Sequence, residues 1–222
     1  MSRVPVITID GPGASGKTVV GIGLAGKLGY QFVDTGSMYR AVTWEALQKE
    51  ISLDGNKALS QLASSTSLEF SAGNGSPRLL ANGKDISDEI HSPAVDRAVS
   101  KVSMIPGVRE ALVRLQRTLA QRHPVVMAGR DIGTVVLPNA GLKIFLIAPV
   151  EQRARRRHAE LKSNGTPIQY TDVLADLRDR DWLDSAREIS PLTPASDART
   201  IDTSGLSPED VVEEIWQHTE KR

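Results

Sequence analysis

Gly11-Pro12-Gly13-Ala14-Ser15-Gly16-Lys17-Thr18 is the stretch that decides the fold. It fits G-x-x-x-x-G-K-[ST], in which the glycines let several backbone N–H groups point at one phosphate chain at a helix start. Lys17 is placed to reach the β and γ phosphates of a triphosphate such as ATP. The Thr18 hydroxyl is placed to ligate Mg²⁺, and Val19 extends the same contact run. Before the loop, Val4–Ile9 is short and apolar, as a buried parallel strand is. After it, residues 17–28 read as a helix that stops at Gly29. Tyr30–Val33 reads as a second strand. Ser37–Glu50 reads as an amphipathic helix with Met38, Ala41, Val42, Trp44 and Leu47 on its apolar side. Such a β-α-β opening predicts an α/β fold: a P-loop NTPase-type open parallel sheet flanked by helices.

The middle of the chain changes character. Ser67–Ser71, Arg78–Ala81 and Asp85–Ile86 read as short strands, punctuated by Gly73-Asn74-Gly75 and Asn82-Gly83, and Asn-Gly is a hairpin signal. This antiparallel meander reads as an insertion. Helices are expected at Pro93–Val102 and Pro106–Arg122, each with a proline near its first turn. Parallel-sheet patterning returns at Val125–Ala128 and Lys143–Ile147. Val150–Ser163 and Thr171–Arg187 read as charged helices and Thr200–Asp202 as a last strand. Ser207-Pro208-Glu209-Asp210 starts a final helix that runs to near Glu220.

Composition narrows the function. The chain has 222 residues, with 27 Lys plus Arg against 27 Asp plus Glu. A zero balance argues against broad binding to nucleic acid or anionic membrane. There is no cysteine, so disulfides and thiolate chemistry are excluded. The four histidines make no metal-ligand spacing, no apolar run reaches a membrane span, and no signal-peptide pattern is seen. A cytoplasmic protein is expected.

The phosphate loop has a second spelling. Gly11, Gly13 and Gly16 also form G-x-G-x-x-G, and Asp34 ends the next strand, where a dinucleotide fold keeps its ribose-binding acid. Lys17-Thr18 is not required by that fingerprint. A further G-x-G-x-x-G, at Gly21, Gly23 and Gly26, follows no strand and reads as a packing feature, serving a close approach to the sheet.

The loop alone does not name a reaction, so the acceptor must. Asp34-Thr35-Gly36-Ser37-Met38-Tyr39-Arg40 follows the second strand. There Arg40 could bind a phosphate and Tyr39 could pack on a base or sugar. Gly129-Arg130-Asp131-Ile132-Gly133-Thr134 follows the third parallel strand, at the carboxyl end where ligands bind. Arg180, Asp184 and Arg187 stand at steps of four and three, on one face of a helix. A solvated salt-bridge ladder would look the same, as would the cluster from Arg153 to Arg157.

Taken in order, the strings GPGASGKT, DTGSMYRAV, GRDIGTVVLP, KIFLIA, QRARRRHAEL, RDxxDSAR followed by SPL, and IDTSGLSPEDVVEEI resemble bacterial cytidylate (CMP) kinases. The likeness runs from about residue 4 to residue 216, and the stretch from Leu68 to Met104 looks like that family's insert. The resemblance implies one kinase domain. Its core is about 1–53, 123–149 and 198–222, its monophosphate-binding insertion about 54–122, and its helical lid about 150–190. Residues matching Arg40, Arg130 and Arg187 hold the acceptor phosphate in that family. Those matching Ser100, Arg109 and Asp131 read cytosine, those matching Arg180 and Asp184 contact the sugar, and Thr35 and Tyr39 line the pocket. Arg153 and Arg156 belong to a mobile lid over ATP. Mg²⁺ is expected with ATP, held by Thr18 and through water by Asp34. The partners implied are ATP with CMP or dCMP, acting on a monomer.

Physical chemistry agrees with these roles. ATP and a nucleoside monophosphate together bring about six negative charges, because a phosphate monoester ionises a second time near pH 6. One Mg²⁺ and one lysine cannot neutralise them, so several arginines must converge. Two departures from the family pattern stand out: Ala128 where an acid is common, and Trp182-Leu183 in a usually charged stretch. The other readings are a P-loop kinase for another small acceptor, a non-catalytic nucleotide-binding regulator, and an NAD-dependent dehydrogenase.

Overall fold

The computed structural model describes residues 4–71, 77–163, 165, 167–187 and 190–219. The Gly73-Asn74-Gly75 turn and the expected end of the last helix at Glu220 lie outside the described residues. Eight strands and eight α-helices occur among those described. Five strands form a parallel sheet in the order β2-β6-β1-β7-β8, and three form a small antiparallel sheet, β3-β4-β5. The contacts divide the chain into two units. One holds the residues up to Tyr30 and those from Val126 on; the other is Gln31–Val125.

The first unit holds β1 (Val6–Asp10), α1 (Lys17–Leu28), most of β6 (Val125–Gly129), β7 (Leu142–Ile147), α6 (Val150–Ser163), α7 (Tyr170–Ser185), β8 (Arg199–Asp202) and α8 (Pro208–Thr219). β1 pairs with β7 in parallel, with Ile7 opposite Leu142 and Ile9 opposite Ile144, and β7 pairs with β8 in the same sense. Ile7, Ile9, Val126, Met127, Ile144 and Leu146 are fully buried, as near-continuous apolar strands covered on both faces must be. α1 ends where expected: Gly29 takes a left-handed φ of 70°, and its N–H turns back to the carbonyls of Ala25 and Gly26. Gly23 does not serve the sheet. A side chain there would meet Val212 of α8 at 3.1 Å, so the small residue lets two helices close. Four strand ends place loops at the carboxyl edge of the sheet: the phosphate loop after β1, Arg130-Asp131 after β6, Ala148 after β7 and Thr203 after β8.

The second unit holds β2 (Gln31–Asp34), α2 (Thr35–Gln48), α3 (Asn56–Ser65), β3 (Leu68–Ser71), β4 (Arg78–Ala81), β5 (Lys84–Asp85), α4 (Pro93–Ser103) and α5 (Pro106–Arg122). β5 pairs Asp85 with Leu80 and Lys84 with Ala81, one residue earlier than the expected Asp85–Ile86. Ile86 instead leaves the sheet and is fully buried. On α2, Met38, Ala41 and Val42 are buried as expected, but Trp44 and Leu47 are only half-buried. Glu45 is buried beside them, accepting from Asn82 Nδ2 at 3.1 Å and pairing with Lys49 at 2.7 Å. The sequence reading has no helix at 56–65. Its buried residues are Leu59, Leu62 and Ala63, in a stretch otherwise of Ser, Asn, Lys, Gln and one further alanine.

No helix among the described residues is long and apolar enough to cross a membrane.

Candidate active site

β1 ends on a buried acid and then turns sharply. Gly11 has φ +149°, and a Cβ there would stand 2.3 Å from the Leu146 carbonyl oxygen, so only glycine lets the chain leave β1 this way. Ala14 takes φ +57° and Gly16 φ +94°, which curls the loop back on itself before α1 begins. Lys17 Nζ lies across the curl, donating to the Pro12 carbonyl at 2.6 Å and reaching Ser15 Oγ at 3.4 Å. Thr18 follows within the first turn of α1, and Val19 beside it is exposed. This is an anion cradle: backbone N–H groups at a helix start, with a lysine folded over it.

Asp10, ahead of the cradle, was not among the expected site residues. Its Oδ1 accepts the Ile132 N–H at 2.8 Å and its Oδ2 the Gly133 N–H at 2.7 Å. One buried carboxylate thus ties the strand that feeds the phosphate loop to the loop that carries Arg130 and Asp131. Burial pushes the Asp10 carboxyl up to about 6. The N–H groups of Gly133 and Ile132 counter that rise, the Asp131 charge adds to it, and Lys17 opposes it. Gly133 is crowded by Thr8, Lys143 and Asp10, each 3.0–3.3 Å from where its Cβ would be.

Arg130 and Arg187 meet on one acid. Asp184 Oδ2 accepts Arg130 Nε at 2.7 Å, and Asp184 Oδ1 pairs with Arg187 Nη2 at 2.5 Å. Asp184 is buried, and Arg187 Nε is also buried, with no acceptor among the described residues. The shared helix face expected for Arg180, Asp184 and Arg187 is corrected here. α7 ends at Ser185, so Arg187 reaches Asp184 from beyond the helix, and Arg180 turns back to Asp176 at 3.2 Å. The chain after α7 is held by the Leu192 N–H on the Asp184 carbonyl. Asp131 is buried, and its carbonyl anchors the π-helical turn Ile132–Val136 by accepting from Val135 and Val136.

Arg153 and Arg156 are bonded to neighbouring loops in this structure. Arg153 is 4% exposed and donates to the carbonyls of Ala148 (2.9 Å) and Gly13 (3.0 Å) and, through both Nη atoms, to Asp181 (3.2 and 2.5 Å). Arg156 Nη1 donates to Thr203 Oγ1 at 2.9 Å, and its Nη2 to the Thr203 carbonyl. Bonded in this way inside the unit, both residues brace the loops in this structure.

In the second unit, Asp34 caps α2 by accepting the Gly36 N–H at 2.9 Å, and Thr35 is buried at the helix start. Arg40 donates to the Ile90 carbonyl at 3.0 Å and to Asp96 at 2.6 Å. Arg109 is buried, with its guanidinium 5.8 Å from the Tyr39 ring and Nη1 3.5 Å from the Ser103 carbonyl. Ser100 lies on α4, one turn before Ser103, whose hydroxyl donates to the Ser100 carbonyl. Asp96 and Asp181, the acids that hold two of the expected arginines, were missed because nothing in the sequence separates them from solvated charge.

Among the described residues no group of three or more His, Asp or Glu could hold a metal by itself. The donor set fits a hard cation that arrives on the phosphates, since Mg²⁺ keeps several waters and needs few protein oxygens.

A phosphate cradle at the carboxyl edge of a parallel sheet, with a clasped arginine pair in the same unit, defines a P-loop phosphotransferase. Residues 7–221 match the model of the cytidylate kinase family, and the chain belongs to that family. It is similar to cytidylate kinase of Geobacillus kaustophilus, 47% identical over 100% of this chain and 99% of that protein. It is also similar to cytidylate kinase of Caldanaerobacter subterraneus subsp. tengcongensis, 46% identical over 97% of this chain and 94% of the relative. Among solved structures, shikimate kinase from Acinetobacter baumannii shares the fold, with a TM-score of 0.50 and 20% identity over 97% of this chain and 92% of that one. The protein is therefore a nucleoside monophosphate kinase that uses ATP. The G-x-G-x-x-G at Gly11, Gly13 and Gly16 belongs to its phosphate loop, and the dehydrogenase reading falls.

Proposed function

We propose that the protein transfers the γ-phosphoryl group of ATP in line to the phosphate of CMP, and also to that of dCMP. The observation that carries this is the arginine pair on Asp184, with the buried Arg187 Nε hydrogen-bonded to no atom of the described residues. One carboxylate between two guanidiniums leaves net positive charge in a buried place, which suits a dianionic acceptor phosphate. Arg40 serves the same phosphate. Ser100, Arg109 and Asp131 read the base, Arg180 and Asp184 the sugar, and Thr35 and Tyr39 complete the pocket. The cradle from Gly11 to Val19 takes the phosphates of ATP. Arg153 and Arg156 bind ATP as part of the helical lid. When bound, Mg²⁺ neutralises phosphate charge; Thr18 would hold it, with Asp34 through water. A cytoplasmic monomer goes with this assignment.

No general base is required, because the acceptor phosphate is largely ionised at neutral pH. Catalysis then consists of alignment and of charge stabilisation by Lys17, Arg130 and Arg187. Asp131 can accept a hydrogen bond from the cytosine amino group. Uracil presents a carbonyl there, and the unmatched pair costs about 1–3 kcal/mol. A coupled assay of ADP release with CMP, dCMP, UMP, AMP and shikimate tests the proposal. ADP is expected with CMP and dCMP well above UMP; equal rates with all acceptors would sink it.

A further inference from the structure

We propose that Arg153 and Asp181 are positioning residues that make binding of ATP and of the acceptor nucleotide interdependent, with α7 as the connecting element. This rests on the assignment of ATP to the phosphate loop and of the acceptor phosphate to Arg130 and Arg187.

Three independent contacts join α7 to these groups, all inside one unit. The first is the Arg153 guanidinium, which holds the Gly13 carbonyl of the phosphate loop with one arm and grips Asp181 with two. The second is packing. A side chain at Gly13 would lie 3.1 Å from Leu177 Cδ2, and Ala14 packs on the buried cluster of Ala154, Val173 and Leu177. The third is Asp184, which takes Arg130 and Arg187. Val173, Leu177, Asp181 and Asp184 follow steps of four, four and three, so they share one face of α7. The helix therefore touches the ATP loop at Leu177 and, through Arg153, at Asp181. Three residues further on, a rise of about 4.5 Å, it holds the acceptor arginines.

Ordering the Gly13 peptide around a triphosphate fixes the carbonyl that Arg153 holds, and with it Asp181. Asp184 sits on the same rigid turn, so its two arginines are ordered together with it. A coupling free energy of this kind is reciprocal: whatever ATP does for the acceptor, the acceptor does for ATP. Nothing in the chemistry of phosphate or base requires Asp181, since it faces an arginine of its own unit. Its buried partner would otherwise be an uncompensated charge.

The test is calorimetric titration of CMP into the protein with and without saturating Mg²⁺ and AMP-PNP. The wild type is expected to bind CMP about tenfold more tightly with the analogue present, within the usual range of such couplings. In Asp181→Asn that ratio should fall to about one, while each nucleotide alone still binds. Asp179→Asn, at an exposed position of the same helix, should keep the wild-type ratio. Full synergy in Asp181→Asn, or none in the wild type, would overturn the proposal. If Asp181→Asn does not fold, Asp181→Glu, which keeps the charge but shifts the carboxylate, is measured in its place against the same two outcomes. A wild type that binds AMP-PNP but no CMP would instead remove the functional assignment beneath it.

Discussion

Asp184 has two carboxylate oxygens and gives one to each of two arginines. That geometry fixes both guanidiniums in the ligand-free protein, so on the proposed assignment no reorganisation is needed for the acceptor phosphate. Arg130→Ala should therefore lower kcat/KM for CMP by about 10³-fold or more while circular dichroism and melting stay near wild type; near-normal turnover would mean the acceptor phosphate lies elsewhere. Asp131→Ala should shrink the preference for CMP over UMP by about tenfold or more, read from the two kcat/KM values. Asp10 makes a prediction about pH. Its carboxyl is raised from 3.8 to about 6 in the folded protein, so the native state holds that proton more tightly than the unfolded chain. The stability this gives is fully present below about pH 4 and is lost as pH rises through 6. The unfolding free energy of the wild type minus that of Asp10→Asn should thus rise by about 3 kcal/mol from pH 7.5 to pH 4 in ligand-free protein. A flat difference would mean Asp10 is not held as described. At this scale the sequence singled out Lys17, Arg130, Asp184 and Arg187 as candidates, because they sit at strand ends or regular spacing. Asp10 was hidden as the last residue of an apolar strand. Asp181 was hidden because an acid in a charged helix reads the same whether it faces water or a buried guanidinium.

Elements were legible in proportion to their contrast. α1, α5, α6 and β7 carry long apolar runs, firm caps or an N-terminal proline, and their bounds fall within a residue of expectation, while β1 starts two residues later than expected, at Val6 rather than Val4. α3 was not legible, since four apolar residues in ten, two of them alanine, give too weak a stripe. Its packing explains why so plain a helix persists. Gly107, at the start of α5, lets α3 come so close that a Cβ there would lie 2.2 Å from Ser60 Oγ and 2.7 Å from Ser60 Cβ. Rotating the hydroxyl away cannot relieve the second contact, so Gly107→Ala should destabilise the protein by about 1–3 kcal/mol in urea unfolding. An unchanged midpoint would mean the two helices separate freely. The C-terminal end of α7 taught the opposite lesson. Arg187 has helical spacing from Asp184 and keeps its partner, yet it lies beyond the helix, because spacing records proximity and not the path of the backbone.

At the scale of the whole molecule, the order of motifs mattered more than any one of them. The loop from Gly11 to Thr18 admits two spellings, and only the arginines and acids downstream made one of them a kinase. Those residues are divided between the two units. The clasp of Arg130, Asp184 and Arg187 lies with the phosphate cradle, while Arg40, Ser100 and Arg109 lie in Gln31–Val125. A sequence shows such a division poorly, because the meander at 68–86 looks like an insertion whatever unit surrounds it. On the proposed function, the cradle and the clasp act together on ATP and CMP. The most direct measurement is ADP release by the purified protein with Mg²⁺, ATP and CMP, compared with the same mixture lacking CMP. ADP formation that depends on CMP and matches CDP one for one is the predicted result. ADP formation that proceeds equally without CMP, or none in its presence, would contradict it.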